Sequence, residues 1–332
     1  VRSVFLGEST VQTDGNGRAR SPATAARPTP DSASASERRQ AFAVVDITRR
    51  FGGVTALDMV SFDAVRSEIV GIIGANGAGK TTLFDVCSGF LEPNSGRVLL
   101  GDVDVTGLTA HERAELGLGR VFQDARLFPS MTVAETIAVA LERHTSIRDP
   151  MLSMLRTNPV RESEMAVRRR VNELIENMGL ERYRDAFVFE LSTGTRRVVE
   201  LACVLAHDPS VLLLDEPTSG IAQREGEALG QLLVDLRDHT GATFVVIEHD
   251  VPLVSSIADR LLCLDLGEVI AEGSPEAVVS DPRVIASYLG ADEAAIARSG
   301  KARPHTRSGK AHPRTRSGSS RGTTQRRQAP VG

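Results

Sequence analysis

The stretch GANGAGKTT, Gly74 to Thr82, fits the pattern G-x-x-x-x-G-K-[ST], whose chemistry is phosphate binding. Gly74, Gly77 and Gly79 let the backbone curl, so that N–H groups along Asn76, Ala78 and Gly79 converge on anionic oxygens. Lys80 brings positive charge to the β- and γ-phosphates, the Thr81 hydroxyl is placed for Mg²⁺, and Thr82 continues into a helix whose N-terminus favours anions. A second group of residues ends the apolar run VLLLDE (211–216). There Asp215 is a candidate to hold Mg²⁺ through its water shell, and Glu216 a candidate general base for an attacking water. A third apolar run, TFVVIEH (243–249), ends at His249, which is placed to hydrogen-bond the γ-phosphate or that water. Gln123 carries an amide oxygen able to ligate Mg²⁺ or orient water, and it lies between the two nucleotide motifs.

Such residues need elements to position them. EIVGIIG (68–74) is a buried-strand pattern ending in glycine, and TTLFDVCSGF (81–90) follows as a helix. VLLLDE and TFVVIEH are further wholly apolar strands, with a helix, EALGQLLVDLRDHTG, between them and a Gly at its close. Strand–helix–strand alternation with apolar strands predicts a parallel sheet covered on both faces, which binds ligands at the strand C-termini. The middle of the chain differs. In EMAVRRRVNELIENMGL (164–180), Val171, Leu174, Ile175 and Met178 recur at helical spacing and Gly179 sits where the helix should stop. This predicts a helical subdomain of about residues 123–200, inserted into the sheet domain.

The 332 residues are 41% hydrophobic and 25% charged, enough for a sizeable buried core. No apolar run approaches the roughly 18 residues that a membrane span requires, and the N-terminus carries no secretory-signal pattern. Cys87, Cys203 and Cys263 lie far apart in apolar contexts, which reads as buried free thiols rather than disulfides or a metal site. Residues 1–41 are rich in Ser, Ala, Pro and Arg and read as a disordered linker, and residues 291–332 as a disordered basic tail. From residue 298 onward the tail has ten Lys/Arg and no Asp/Glu, so the rest of the chain carries −14 of a formal −4 total. A basic tail suits anionic lipid, nucleic acid or plain solvation; it contains no aromatic residue to stack on bases, which weighs against nucleic acid.

Taken in order, the phosphate loop, Gln123, LSTGTRR (191–197), LLLDEPTSG (212–220) and His249 resemble the nucleotide-binding subunit of ATP-binding-cassette (ABC) transporters over about residues 42–290. The resemblance implies an α/β fold with a mostly parallel P-loop sheet, an antiparallel β region and the inserted helical subdomain. It implies ATP and Mg²⁺ as cofactors and ATP hydrolysis as the activity. Glu216 is then the catalytic base, His249 the switch histidine and Gln123 the residue that relays the nucleotide state to a membrane partner. Phe51, in RRFGGVTAL, resembles the aromatic that stacks on adenine, with an ordinary core aromatic as the lesser alternative. Ser192, Thr193, Gly194 and Thr195 resemble the signature motif, which completes the ATP site of the opposite subunit. The implied partners are therefore a second ATPase subunit, arranged head to tail, and integral-membrane permease subunits, at the cytoplasmic face of the membrane.

SGFLEPNSGRVLLGDVDVTGL, FQDARLFPSMTVAETI and EGSPEAVVSDPRVIASYLG, with the lengthened stretch 142–170, are similar to the ATPase subunits of branched-chain amino-acid importers. Some of these are fused behind their permease, and a first residue of Val rather than Met fits either such a fusion or an alternative start codon. Lipid-export ATPases share the core and the ending, and an ATPase acting on nucleic acid without a permease is a third reading. Two departures stand out: the signature usually has Gly where Thr193 stands and Gln where Thr195 stands, and Asp or Asn usually occurs near Ala222.

Overall fold

Strands apolar at every position belong between two covered faces, and three such strands pair side by side at the centre of one sheet. They are β3 (Ile69–Ile73), β7 (Val211–Asp215) and β8 (Thr243–Ile247), each buried along its whole length. This comes from a computed structural model, which describes residues 40–123, 127–144 and 158–288. Residues 1–39, the tail 291–332 and residues 145–157 of the lengthened stretch lie outside the described residues.

In chain order the strands are β1 (Gln40–Phe51), β2 (Val54–Val65), β3, β4 (Ser95–Leu100), β5 (Val103–Asp104), β6 (Leu118–Val121), β7, β8, β9 (Arg260–Asp265) and β10 (Glu268–Gly273). The helices are α1 (Lys80–Cys87), α2 (Ala110–Glu115), α3 (Val133–Ala140), α4 (Asn158–Asn177), α5 (Thr193–Leu205), α6 (Gln223–Thr240), α7 (Val251–Ile257) and α8 (Pro275–Val279). A six-stranded sheet has the order β10-β9-β3-β8-β7-β6. All its pairs are parallel except β10 with β9. A second, antiparallel sheet has the order β2-β1-β4-β5. The first strand begins at Gln40, with Ala41 already in the core, two residues ahead of the sequence-based boundary.

Two hydrophobic clusters explain why the elements stack this way. One joins the antiparallel sheet (Phe42, Ile47, Leu57) to one face of the parallel sheet (Ile72, Leu213, Val245) through Leu83 and Phe84 of α1. The other covers the opposite face with α3, α4, α5, α6 and α7. Val171, Leu174, Ile175 and Met178 are all buried there, so the helical periodicity marked the true inner face of α4. That helix begins at Asn158 and ends at Asn177, with Gly179 at φ 66° beyond it. α6 closes on Gly241 at φ 68°, a backbone state that glycine adopts without strain.

The helix expected over 81–90 is shorter: α1 stops at Cys87. Gly89, at φ 79°, stops it: the Phe90 and Gly89 N–H groups turn back to the carbonyls of Asp85 and Val86 at 2.9 and 3.3 Å, and a distant cation adds to this. Arg113, of which 1% is exposed, donates through Nη1 to the carbonyls of Val86 and Cys87 at 2.7 and 2.8 Å. A cation on the last carbonyls of a helix satisfies them and matches the dipole. Cys87 and Cys263 are buried free thiols as expected, while Cys203 is only partly buried.

Candidate active site

Because β3, β6, β7 and β8 run parallel, their C-terminal ends share one edge of the sheet. That edge carries the loop Gly74–Gly79, Gln123, Asp215 with Glu216, and His249. Five sequence-predicted features from distant positions thus meet where a parallel sheet binds ligands. A cleft of about 350 Å³ opens there, lined among others by Thr55, Asn76, Gly77, Gly79, Lys80, Thr81, Thr82, Glu216 and His249.

The loop turns directly into α1. Gly79, at φ 106°, is the residue before the first turn, and a Cβ there would lie 2.6 Å from the carbonyl oxygen of Ala56. The Lys80 ammonium donates to the carbonyls of Gly74 and Ala75 at 2.7 and 3.1 Å, so it folds back over the loop in which a phosphate would sit. Burial pulls its pKa below the ordinary lysine value, opposed by the carboxylates of Glu216 and Asp215. The buried loop therefore favours an anion arriving to share that charge.

Glu216 is held between two other predicted residues. His249 Nε2 lies 2.5 Å from its Oε1, and Gln123 Nε2 donates to its Oε2 at 3.2 Å. Its own backbone has φ 49°, a left-handed state that costs a non-glycine residue energy and recurs at functional sites. The Glu216 N–H donates to the carbonyl of Ile247 at 2.9 Å, which fixes this turn against β8. A carboxylate with a histidine on one oxygen and an amide on the other is oriented to take a proton from a water in the cleft. Next to it, Glu248 is buried and accepts from the Thr218 N–H and hydroxyl at 2.9 and 2.7 Å. It ties β8 to the chain that leaves β7.

Asp215 ends β7 and is almost wholly buried. Burial pushes its carboxyl above the ordinary range, and the Arg120 guanidinium pulls it back down. Arg120 is a residue the motif reading passed over. Its side chain is 7% exposed and spans two carboxylates, donating to Asp85 at 2.7 Å and Asp215 at 3.2 Å, and to the Ser88 hydroxyl at 2.7 Å. Its guanidinium also lies 4.7 Å from the centre of the Phe122 ring and 5.6 Å from that of Phe90. A lone arginine three residues before a glutamine gives no sequence signal of such a role; only strand pairing of β6 with β7 supplies it.

Thr81, Asp215 and Gln123 offer hard oxygen donors suited to Mg²⁺. Among the described residues no three His, Cys, Asp or Glu side chains converge as a metal cage. That arrangement fits an ion whose shell is completed by phosphate oxygens and water. Phe51 ends β1 and is 46% exposed, with the Arg49 guanidinium 4.7 Å from its ring centre. It is thus a surface aromatic, not a core one, and open to stack on a planar base.

The residues Ser192 to Thr195 do not line this cleft. They begin α5, where Ser192 Oγ accepts the Thr195 N–H at 3.2 Å as a helix cap. Ser192 and Thr193 are exposed, whereas Thr195 is 2% exposed and its hydroxyl lies 3.0 Å from Ser192 Oγ. The second departure also has a local consequence: Ala222 occupies the cap position of α6, which has no side-chain cap.

Comparison with known proteins agrees with this geometry. The family model described as "ABC transporter" matches residues 57–219, and one described as "Branched-chain amino acid ATP-binding cassette transporter" matches residues 268–294. The chain is 37% identical over 242 residues to the high-affinity branched-chain amino acid transport ATP-binding protein LivG of Escherichia coli (strain K12), covering 73% of this chain and 94% of that protein. It is 35% identical over 247 residues to the corresponding protein BraF of Pseudomonas aeruginosa, covering 74% and 96%. A crystal structure of the ADP conformation of an ATP-binding cassette of an ABC transporter superposes with a TM-score of 0.66 at 30% identity, over 76% of this chain and 99% of that one.

Proposed function

This chain belongs to the ABC transporter family as an ATP-binding subunit, and on that premise we propose that its ATPase powers import of branched-chain amino acids or a similar small solute. Supporting the solute class are the C-terminal family match over residues 268–294 and the likeness to LivG and BraF along nearly their whole length. No helix among the described residues is long and apolar enough to cross a membrane. Translocation therefore falls to separate or fused permease subunits, with this domain at the cytoplasmic face and a second ATPase subunit beside it.

The observation that carries the catalytic part is the grip of His249 and Gln123 on the two oxygens of Glu216 at the mouth of the phosphate cleft. In the proposed reaction the loop N–H groups and Lys80 hold the β- and γ-phosphates. Phe51 supports the adenine, Glu216 takes the proton from the attacking water, and His249 keeps Glu216 and that water aligned. Mg²⁺, held by Thr81, Asp215 and Gln123, supplies charge neutralisation on the phosphate oxygens when bound. Because Gln123 touches Glu216 and begins the helical region, its contact is the proposed route by which nucleotide state reaches the permease.

The test compares the wild type with Glu216→Gln, expressed with the membrane subunits. ATP binding is expected to persist while hydrolysis falls by about 10²-fold or more, and uptake of radiolabelled leucine, isoleucine or valine is expected to fall with it. Near-normal turnover in the variant would remove Glu216 from its role. Wild-type uptake that ignores all three amino acids would overturn the solute class.

A further inference from the structure

The phosphate loop is tied to a part of the chain more than two hundred residues away. Residues 282–288 are helical, and they are seated by Val284, buried in the core, and by Tyr288, packed against it. The Tyr288 hydroxyl accepts the backbone N–H of Gly74 at 2.9 Å. The neighbouring Ser287 hydroxyl donates to the carbonyl of Val284 at 2.8 Å, within the same helical segment. Gly74 is the point at which β3 becomes the loop, and it is confined on every side. Its φ is 151°, a Cβ on it would lie 2.2 Å from the carbonyl oxygen of Leu264, and its own carbonyl accepts the Lys80 ammonium at 2.7 Å.

These contacts differ in what ATP does to them. Lys80 spends two of its three N–H donors on the carbonyls of Gly74 and Ala75, so it can redirect one to a phosphate. The Gly74 N–H is held by Tyr288, and neither residue lines the cleft, so a phosphate there does not compete for this bond. Without a partner, a buried N–H either goes unsatisfied or draws the loop out of shape until water reaches it. The loop conformation that binds phosphate and the docked conformation of 282–288 therefore share one hydrogen bond.

We propose that Tyr288 is a positioning residue for the nucleotide site. Its hydroxyl pins the first N–H of the phosphate loop, so that docking of residues 282–288 and occupancy of the site favour each other. The inference rests on the ATPase reading above. It assigns a role to the C-terminal segment that none of the nucleotide motifs contains. Coupling of this kind is reciprocal: a segment that improves ATP binding when docked has to be held more firmly when ATP is bound.

The experiment uses the full chain and two measurements. Hydrogen exchange of the amides of residues 282–288 is followed with and without Mg²⁺ and a non-hydrolysable ATP analogue, and it is expected to slow when the analogue is present. Tyr288→Phe keeps the ring and its packing and removes only the hydroxyl. It is expected to weaken binding of the analogue by roughly threefold to tenfold and to abolish the nucleotide-dependent protection, while turnover at saturating ATP changes little. Exchange at 282–288 that ignores nucleotide overturns the proposal, whether or not the variant folds. So does a folded variant with wild-type affinity, since that leaves Tyr288 a packing residue. A wild-type chain that fails to bind the analogue would instead defeat the ATPase reading.

Discussion

Arg120 places one guanidinium between Asp85 of α1 and Asp215 of β7, and this links the helix that follows the phosphate loop to the strand that ends in the proposed Mg²⁺ carboxylate. The electrostatics are those of a buried pair. The desolvation that raises Asp215 is opposed by Arg120, and removing one partner leaves the other charge uncompensated in a poor solvent. Arg120→Met is therefore expected to destabilise the ligand-free protein by about 3 kcal/mol, read as a lowered melting temperature, with Mg²⁺ and ATP restoring part of the loss by mass action. Arg120→Lys keeps the charge but loses the fork that reaches both carboxylates, and should recover only part of the stability. A melting temperature unchanged in Arg120→Met would show that the two carboxylates do not depend on it. The same residue scale accounts for what the sequence reveals of the site. Asp215 and Glu216 are readable because they close an apolar strand, and Lys80 and Thr81 because a glycine-rich loop joins such a strand to the helix they begin, so local pattern alone places all four. Arg120 and Tyr288 are not, because their partners lie 95 and 214 positions away and depend on which strands pair.

At the scale of elements, helix ends decide how well the catalytic turns are held. α5 begins with a proper cap, Ser192, and α8 with another, Ser274. α6 begins at the same sheet edge and has none, because Ala222 stands in the cap position with an extended backbone (φ −67°, ψ 147°) that would suit an Asn side chain. Its carbonyl already accepts the Gly226 N–H at 2.9 Å, so only the side-chain cap is missing. Asn suits the position better than Asp, because Glu227 and Asp250 line the same hollow as Ala222 and another negative charge there would be repelled. Ala222→Asn is expected to raise stability by about 1 kcal/mol, measured by denaturant unfolding; no gain would mean that the chain after Glu216 cannot adopt the capped geometry. Element type was legible where a short run was apolar throughout, as in β3, β7 and β8, or where helical periodicity was strong, as on the inner face of α4. Element ends were less so: the expected helix over 81–90 ran past Gly89, which at φ 79° is the local stop for α1, while Arg113, far along the chain, collects its last carbonyls without any local sign.

For the whole molecule, the separation of the phosphate cleft from the N-terminus of α5 is the main consequence. Within one chain, Ser192 and Gly194 do not line the cleft that holds Lys80 and Glu216, yet Ser192 and Thr193 stand exposed at a helix N-terminus, where an anion is favoured. The proposed head-to-tail pair joins these halves: the phosphate loop of one copy faces the α5 N-terminus of the other. In this chain Ser192 Oγ accepts the Thr195 N–H and lies 3.0 Å from the Thr195 hydroxyl, so with that hydroxyl as the donor its own proton is free to donate to a second copy's phosphate. The arrangement makes a prediction that no single-copy site makes. Lys80→Ala disables the loop, Ser192→Glu repels phosphate at the α5 end, and each variant alone should be inactive. In a mixed pair one composite site carries both defects and the other carries neither. If the chain pairs with itself, an equal mixture is expected to recover about a quarter of the wild-type rate, since half of the pairs are mixed and each has one intact site of two. A mixture as inactive as its two parents would count against independent sites shared between copies, and recovery that appears only on mixing would place Ser192 and Lys80 in one site built from two chains.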